Sequence, residues 1–213
     1  MTEHWHRRVR NRAKRCEHVP VTYTNRKGVT YYLCRGATKT GKPRYYFARK
    51  PKGEPVEEIP QGFRISESVN GIVSLVRDRP SQILPQELAA VKAALQRHPK
   101  SRNYRVAIKR NRIEVYERVG SGAEELIAEL AQRGFVGPDF ADQIRATKER
   151  HAQFRPVLRF ILANAEQRIF HTQRWCYLGS IDDWIYIGPT GAVNELARQT
   201  IPTLGSDAFY DLI

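Results

Sequence analysis

Apolar and polar residues follow two different periods along this chain. Between residues 21 and 77, β-branched and aromatic residues come in short runs separated by turn residues, which predicts β-strands. Three prolines and two glycines fall within residues 50–62, so this segment is expected to be a loop. Asn70-Gly71 separates two strand-like runs, residues 63–69 and 72–77, and is a preferred pair for a type I′ two-residue turn. Residues 20–80 therefore predict a β-rich module.

A helical period begins after this module. One face of the predicted helix carries four apolar residues at intervals of four, three and four: Leu84, Leu88, Val91 and Leu95. Residues 104–117 then return to alternation around a predicted loop at Arg110-Asn111. That loop places Ile108 opposite Ile113 and Val106 opposite Val115 on the core side. The solvent side of the same hairpin is expected to carry Arg105, Ala107, Glu114 and Tyr116.

Three helices and a second group of strands are predicted in the last part of the chain. Ser121 and Glu124 fit a capping box that opens a helix, with Leu126, Ile127 and Leu130 turned inward. Pro138 begins the next helix, which is expected to place Phe140, Ile144 and His151 on one side. Strands are predicted at residues 157–163, 168–181 and 183–188, followed by a helix at 191–200 and a short terminal turn at 206–213.

This order of elements predicts an α+β protein. Hairpins with helices between them favour mostly antiparallel sheets and several helices, rather than a doubly wound parallel sheet. The proline-rich stretch at residues 79–85 is the most plausible boundary. We therefore expect a basic flexible arm at 1–19, a small basic β-rich module at 20–80, and a larger α+β body at 81–213 whose C-terminal part is acidic and aromatic.

Charge is segregated along the 213 residues, and this changes the functional picture. Residues 1–52 carry 15 Lys and Arg but two acidic residues, a net charge of +13, whereas the whole chain has a net charge of +14. Concentrated positive charge releases counterions from nucleic acids and so favours binding to DNA or RNA. Residues 176–213 hold one Arg against five acidic residues.

The nucleic-acid-binding surface is predicted to combine the arm with the strand around "RYYFAR", residues 44–49. On a strand, one face carries Tyr45, Phe47 and Arg49 and the other carries Arg44, Tyr46 and Ala48. Either face therefore offers a phenol ring for stacking and a guanidinium group for phosphates. An ordinary, well-solvated edge strand has the same composition and is the competing interpretation. The predicted binding residues are Arg7, Arg8, Arg10, Arg12, Lys14, Arg15, Arg35, Lys39, Lys42, Arg44, Tyr45, Tyr46, Arg49, Lys50 and Lys52.

Catalytic signals are weak. Asp182, Asp183 and His171 are the candidates, but Asp182-Asp183 is expected to be a turn with Trp184 packed inward, and no nucleotide-binding loop or nucleophile motif occurs. A metal-dependent nuclease is the main alternative, and it would require these two aspartates to converge with Glu57 or Glu114. His4, His6, Cys16, His18 and Cys34 lack the close-pair spacing of a zinc module, so neither a metal site nor a cofactor is predicted.

The remaining features concern partners and compartment. The Trp-rich segment 174–188 is expected to be a core strand pair, with a protein-binding face as the alternative. No apolar run is long enough to span a bilayer, and three scattered cysteines favour a reducing compartment, so a cytoplasmic protein without a membrane partner is expected. We expect a non-catalytic binding protein or an accessory subunit. Membership of a larger nucleoprotein complex is a further alternative.

Overall fold

The computed structural model describes residues 19–51, 53–134, 137–178 and 181–211. The predicted arm up to residue 18, and Lys52, lie outside the described residues. The described part is an α+β fold with antiparallel sheets and five α-helices, as the sequence predicts. The first two sheets precede residue 80 and the third follows it. The boundary predicted at 79–85 remains a prediction.

The first sheet is built on strand β2. It joins β1 (Thr22–Thr24), β2 (Thr30–Ala37), β3 (Pro43–Ala48) and the two-residue strand β4 (Glu54–Pro55). Both β1 and β3 are antiparallel to β2, and β4 pairs with β2 beyond the end of β1. The described residues of the segment predicted as a loop, 50–62, are therefore loop except for β4.

The second sheet is a hairpin of β5 (Phe63–Glu67) and β6 (Val73–Arg77). The hairpin confirms the sequence prediction, but the predicted type I′ turn is wrong. A type I′ turn needs positive φ at both central residues, whereas Gly71 has φ 76° and Asn70 is not in the left-handed region. The tight turn instead spans Ser68 to Gly71, with the Gly71 N–H donating to the Ser68 carbonyl at 2.9 Å, so that only Gly71 needs positive φ. The Asn70 side chain bonds to the third sheet.

The third sheet is a five-stranded antiparallel meander in the order β11-β10-β9-β8-β7. Its strands are β7 (Tyr104–Lys109), β8 (Arg112–Arg118), β9 (Phe154–Asn164), β10 (Ile169–Leu178) and β11 (Ile181–Tyr186). The β7–β8 register is as predicted, with Val106 opposite Val115 and Ile108 opposite Ile113. Ile108 is nevertheless 40% exposed, so the core side is not buried at this end of β7. The polar side of this hairpin is less solvated than expected, since Glu114 is 5% exposed.

The core lies between one face of this sheet and two helices. Helices α1 (Pro85–Gln96) and α4 (Val193–Thr200) pack on the sheet, followed by the short helix α5 (Asp207–Tyr210). The buried cluster includes Val91, Leu95, Ile113, Phe160 and Phe170. Burying such side chains contributes about 1.5–3 kcal/mol each to stability. Leu84 departs from the predicted face because it is the N-cap residue of α1 and is 39% exposed.

Helices α2 (Ala123–Gln132) and α3 (Pro138–His151) pack mainly on each other. The predicted capping box is wrong, because Gly122 rather than Ser121 occupies the N-cap and no side chain caps the helix. Phe140 is 47% exposed and His151 is exposed, so neither is on a buried side. Leu126, Ile127, Leu130 and Ile144 are only half-buried, since the pair has little apolar surface to pack against.

Two asparagine side chains connect the three sheets. Asn25 Nδ2 donates to the carbonyl of Gly71 at 2.6 Å, which joins the first sheet to the β5–β6 hairpin. Asn70 Nδ2 donates to the carbonyl of Phe154 at 2.9 Å, and the Phe154 N–H donates to Asn70 Oδ1 at 2.8 Å. The β5–β6 hairpin is thus held on both sides by hydrogen bonds. In the part of the chain described, no helix has the length and apolar character needed to cross a membrane.

Candidate nucleic-acid interface

The strand around residues 44–49 packs on the protein through one face and carries the exposed Arg44 on the other. Register places Tyr45 opposite Arg35 and Tyr46 opposite Cys34. The ring of Tyr45 lies 6.3 Å from that of Phe63 in the second hairpin, so this face turns toward the protein. Successive strand residues point to opposite faces, and Arg44 and Tyr46 therefore share the other face. Arg44 is exposed and Tyr46 is half-buried, with its ring edge close to Gly36 and its hydroxyl close to Gly53.

We call β2, β3 and the residues up to Lys50 the basic hairpin. Its predicted binding cations are all exposed: Arg35, Lys39, Lys42, Arg44, Arg49 and Lys50. Arg35 lies 3.8 Å from the Glu54 carboxylate. The other five form no ion pair with any residue in the described part of the chain. Positive charge on this hairpin is therefore largely unneutralised.

Cations of the body are arranged differently. Arg105 and Arg118 both bind Glu149, and Arg145 binds Glu124 and Asp142. Further pairs within the body join Arg102 to Glu124, Arg112 to Glu114, Arg133 to Glu129, Arg155 to Glu117, and Arg168 to Glu87. Acidic neighbours thus neutralise much of the positive charge of the body. On the basic hairpin, most cations have no such neighbour.

The third sheet has a second surface of interest, which we call the open face. It is the face opposite α1 and α4, and register assigns to it Arg112, Glu114, Tyr116, Arg159, His171, Gln173, Trp175, Trp184 and Tyr186. Trp175 and Trp184 face each other across β10 and β11, with ring centroids 5.2 Å apart. Both are half-buried and neither belongs to the main core, so the expected inward packing of Trp184 is wrong. The expected strand pair is present, and its other face reaches the core through Ile185 and Ile187.

A buried carboxylate organises the open face at β8. Glu114 accepts hydrogen bonds from Arg112 Nε at 2.6 Å and from the Tyr116 hydroxyl at 2.6 Å. Burial, together with the hydrogen bond to Glu114, raises the pKa of Tyr116 above its usual range. The phenol therefore stays protonated and holds the carboxylate in place.

The carboxylates proposed as catalytic do not form a cluster. Asp182 and Asp183 lie within β11 rather than in a turn, because residues 181–186 pair with β10. Adjacent strand residues point to opposite faces. Asp182 accepts a hydrogen bond from Trp175 Nε1 at 3.0 Å, and Asp183 accepts one from the Trp184 amide at 2.7 Å. His171 packs edge-on against Tyr186. Among the described residues, no group of three or more His, Cys, Asp or Glu side chains is placed to hold a metal ion.

Sequence reasoning did not single out Arg112, Arg159 or Trp184 as binding residues. The signal was present in part, because the correctly predicted β7–β8 register already separates Glu114 and Tyr116 from the core side. Placing Arg159 beside them also requires the β8–β9 pairing, which joins residues about 45 positions apart and has no local turn to define it.

Comparison with known proteins adds no assignment: no family model, no curated protein and no solved structure matches this chain.

Proposed function

We propose that this protein binds nucleic acid, DNA or RNA, through its basic N-terminal region and acts as a non-catalytic binding protein or accessory subunit. The observation that carries this proposal is the unneutralised charge of the basic hairpin. Lys39, Lys42, Arg44, Arg49 and Lys50 are exposed and have no acidic partner in the described part of the chain. Such cations displace counterions from a phosphate backbone, whereas cations already paired with carboxylates do so less.

Local geometry suits a phosphate backbone better than a small anion. The five cations are spread along one hairpin and the residues that follow it, so they can contact several successive phosphates. Tyr46 lies on the same face as Arg44. The basic residues of the arm (Arg7, Arg8, Arg10, Arg12, Lys14 and Arg15) and Lys52 extend this positive region in sequence and belong to the same proposal. Binding to cellular nucleic acid fits the cytoplasmic location that we propose.

Two triple variants with the same loss of charge test the proposal. The first replaces Lys39, Lys42 and Arg44 by Gln, and the second replaces Lys92, Arg97 and Arg198, which are also exposed but lie on α1, just after it, and on α4. Binding of fluorescein-labelled DNA and RNA oligonucleotides is measured by fluorescence anisotropy across a salt series.

The first variant should bind more weakly than the intact protein, with a salt slope smaller by about 2–3 units, since each phosphate contact contributes about 0.9 on duplex DNA and 0.7 on single strands. The second variant should keep most of the affinity and slope. Equal losses in both variants would show that only total charge matters. Intact protein that binds none of the oligonucleotides at low salt would refute the proposed function.

A further inference from the structure

Arg159 is held in place on the open face, and some of its N–H donors bond to no described residue. Its guanidinium carbon lies 4.1 Å from the centroid of the Trp184 ring, and its Nε donates to Gln173 Oε1 at 2.6 Å. Stacking on an indole and one hydrogen bond hold the planar group in place. Its two terminal nitrogens make no hydrogen bond to any described residue. An arginine held in this way presents a flat cationic plane and a two-nitrogen fork to a ligand.

A second guanidinium lies close to the first. Arg112 donates through Nε to Glu114, and Glu114 lies directly opposite Arg159 in the β8–β9 register. Burial and then the neighbouring charge of Arg112 lower the pKa of Arg159 from its usual range. Glu114 and Asp183 partly offset this effect. The terminal N–H groups of both arginines bond to no described residue and can donate to a phosphate.

An exposed aromatic ring stands beside this arginine pair. Tyr186 is 65% exposed, and the edge-on contact with His171, with ring centroids 5.5 Å apart, supports it from one side. Register places Tyr186 opposite Gln173, the residue that anchors Arg159. A ring face open to solvent next to a guanidinium plane provides two stacking surfaces for nucleobases.

The open face is continuous with the N-terminal module. A groove of about 470 Å³ runs between the β5–β6 hairpin and β7–β8. Its lining includes the ion pair of Arg26 and Glu67 on one side, and Lys109 and Tyr116 on the other. Lys109 pairs with Arg112, at the start of the open face. The groove therefore leads from the β5–β6 hairpin to the cationic edge of the open face at Lys109 and Arg112.

We propose that the open face binds single-stranded nucleic acid, with Arg112 and Arg159 holding a phosphate and with the planes of Tyr186 and Arg159 stacking bases. This inference rests on the proposed function and narrows it from nucleic acid to unpaired strands. Paired bases in a duplex are stacked on each other and present no free face, whereas a single strand offers its bases to aromatic and guanidinium planes.

The test uses the full chain with fluorescein-labelled (dT)20 and a matched 20-base-pair duplex in anisotropy titrations. Tyr186→Ala removes an exposed ring and should leave the thermal unfolding temperature unchanged. Arg159→Lys keeps the charge but loses the planar fork. The matched controls are Phe140→Ala, an aromatic 47% exposed on α3, and Arg133→Lys on α2.

Tyr186→Ala should weaken (dT)20 binding by about 5- to 150-fold, the range expected for one lost stacking contact, with the salt slope unchanged. Arg159→Lys should also weaken (dT)20 binding, while duplex binding and both controls stay near the intact protein. Unchanged (dT)20 affinity in both open-face variants would overturn this inference, and so would a preference of the intact protein for duplex. In that case the triple variant of Lys39, Lys42 and Arg44 still tests the proposed function independently. Loss of binding to both probes in the open-face variants would also contradict selective recognition of single strands.

Discussion

Replacing Asn70 by Ala tests the connection between the N-terminal module and the body. Its amide makes two hydrogen bonds with the backbone of Phe154, at 2.9 and 2.8 Å, and Phe154 is 4% exposed. Each bond contributes about 0.5–1.5 kcal/mol net, and a buried backbone group left without a partner costs about 1–3 kcal/mol. Because the site is only partly buried and water can replace some of the lost bonding, we expect a loss of about 2–3 kcal/mol.

This loss is measured by thermal unfolding followed by circular dichroism. For a protein of this size, 1 kcal/mol shifts Tm by about 2–4 °C, so Asn70→Ala should lower Tm by about 4–12 °C. Asn194→Ala is the matched control, since Asn194 is exposed in α4 and its side chain bonds to no described group. Its Tm should stay the same or rise slightly, because Ala favours helix more than Asn does. Equal Tm values for the two variants would refute the assigned role of Asn70.

Two further predictions concern a carboxylate and the buried thiols. Burial opposes the charge of Glu149, but hydrogen bonds from its two arginine partners outweigh it and lower its pKa below the usual 4.5. The stability that the Glu149 charge contributes is therefore present above pH 4.5 and lost as pH falls through the lowered pKa. In urea unfolding, Glu149→Gln should be less stable than the intact protein at pH 6 and equally stable at strongly acidic pH. In a Cys16→Ser variant, Cys34 and Cys176, both at most 2% exposed, should react with a thiol reagent only on unfolding.

Local patterns were enough to predict much of the fold. Alternation around Arg110-Asn111 gave the correct partners for Val106 and Ile108, because the two strands adjoin a short loop and one side must be buried. The 3.6-residue period likewise identified α1 with Val91 and Leu95 in the core. Where neighbouring residues decide the structure, sequence periodicity carries the information.

Features that depend on distant residues were not predictable in this way. Asn70 was assigned to a type I′ turn because its bonds to Phe154, 84 residues away, leave no trace in the local sequence. Trp184 was assigned to the core because large aromatic residues are often buried, whereas the pairing of β9, β10 and β11 places it on the opposite face beside Arg159. The amphipathic pattern of α3 predicted that Phe140 is buried, but Phe140 is 47% exposed. A local pattern does not reveal whether another element covers that face of the helix.

Mapping the bound nucleic acid by lysine acetylation tests the central claim most directly. Lys39, Lys42 and Lys50 lie on the basic hairpin, while Lys92 and Lys100 are equally classed as exposed but belong to the body. The protein is acetylated briefly with and without saturating oligonucleotide, and modification at each lysine is measured by mass spectrometry. The oligonucleotide should protect the three lysines of the basic hairpin and leave Lys92 and Lys100 as reactive as in the free protein. Unchanged modification of the basic hairpin, or protection confined to the two body lysines, would contradict the proposed interface.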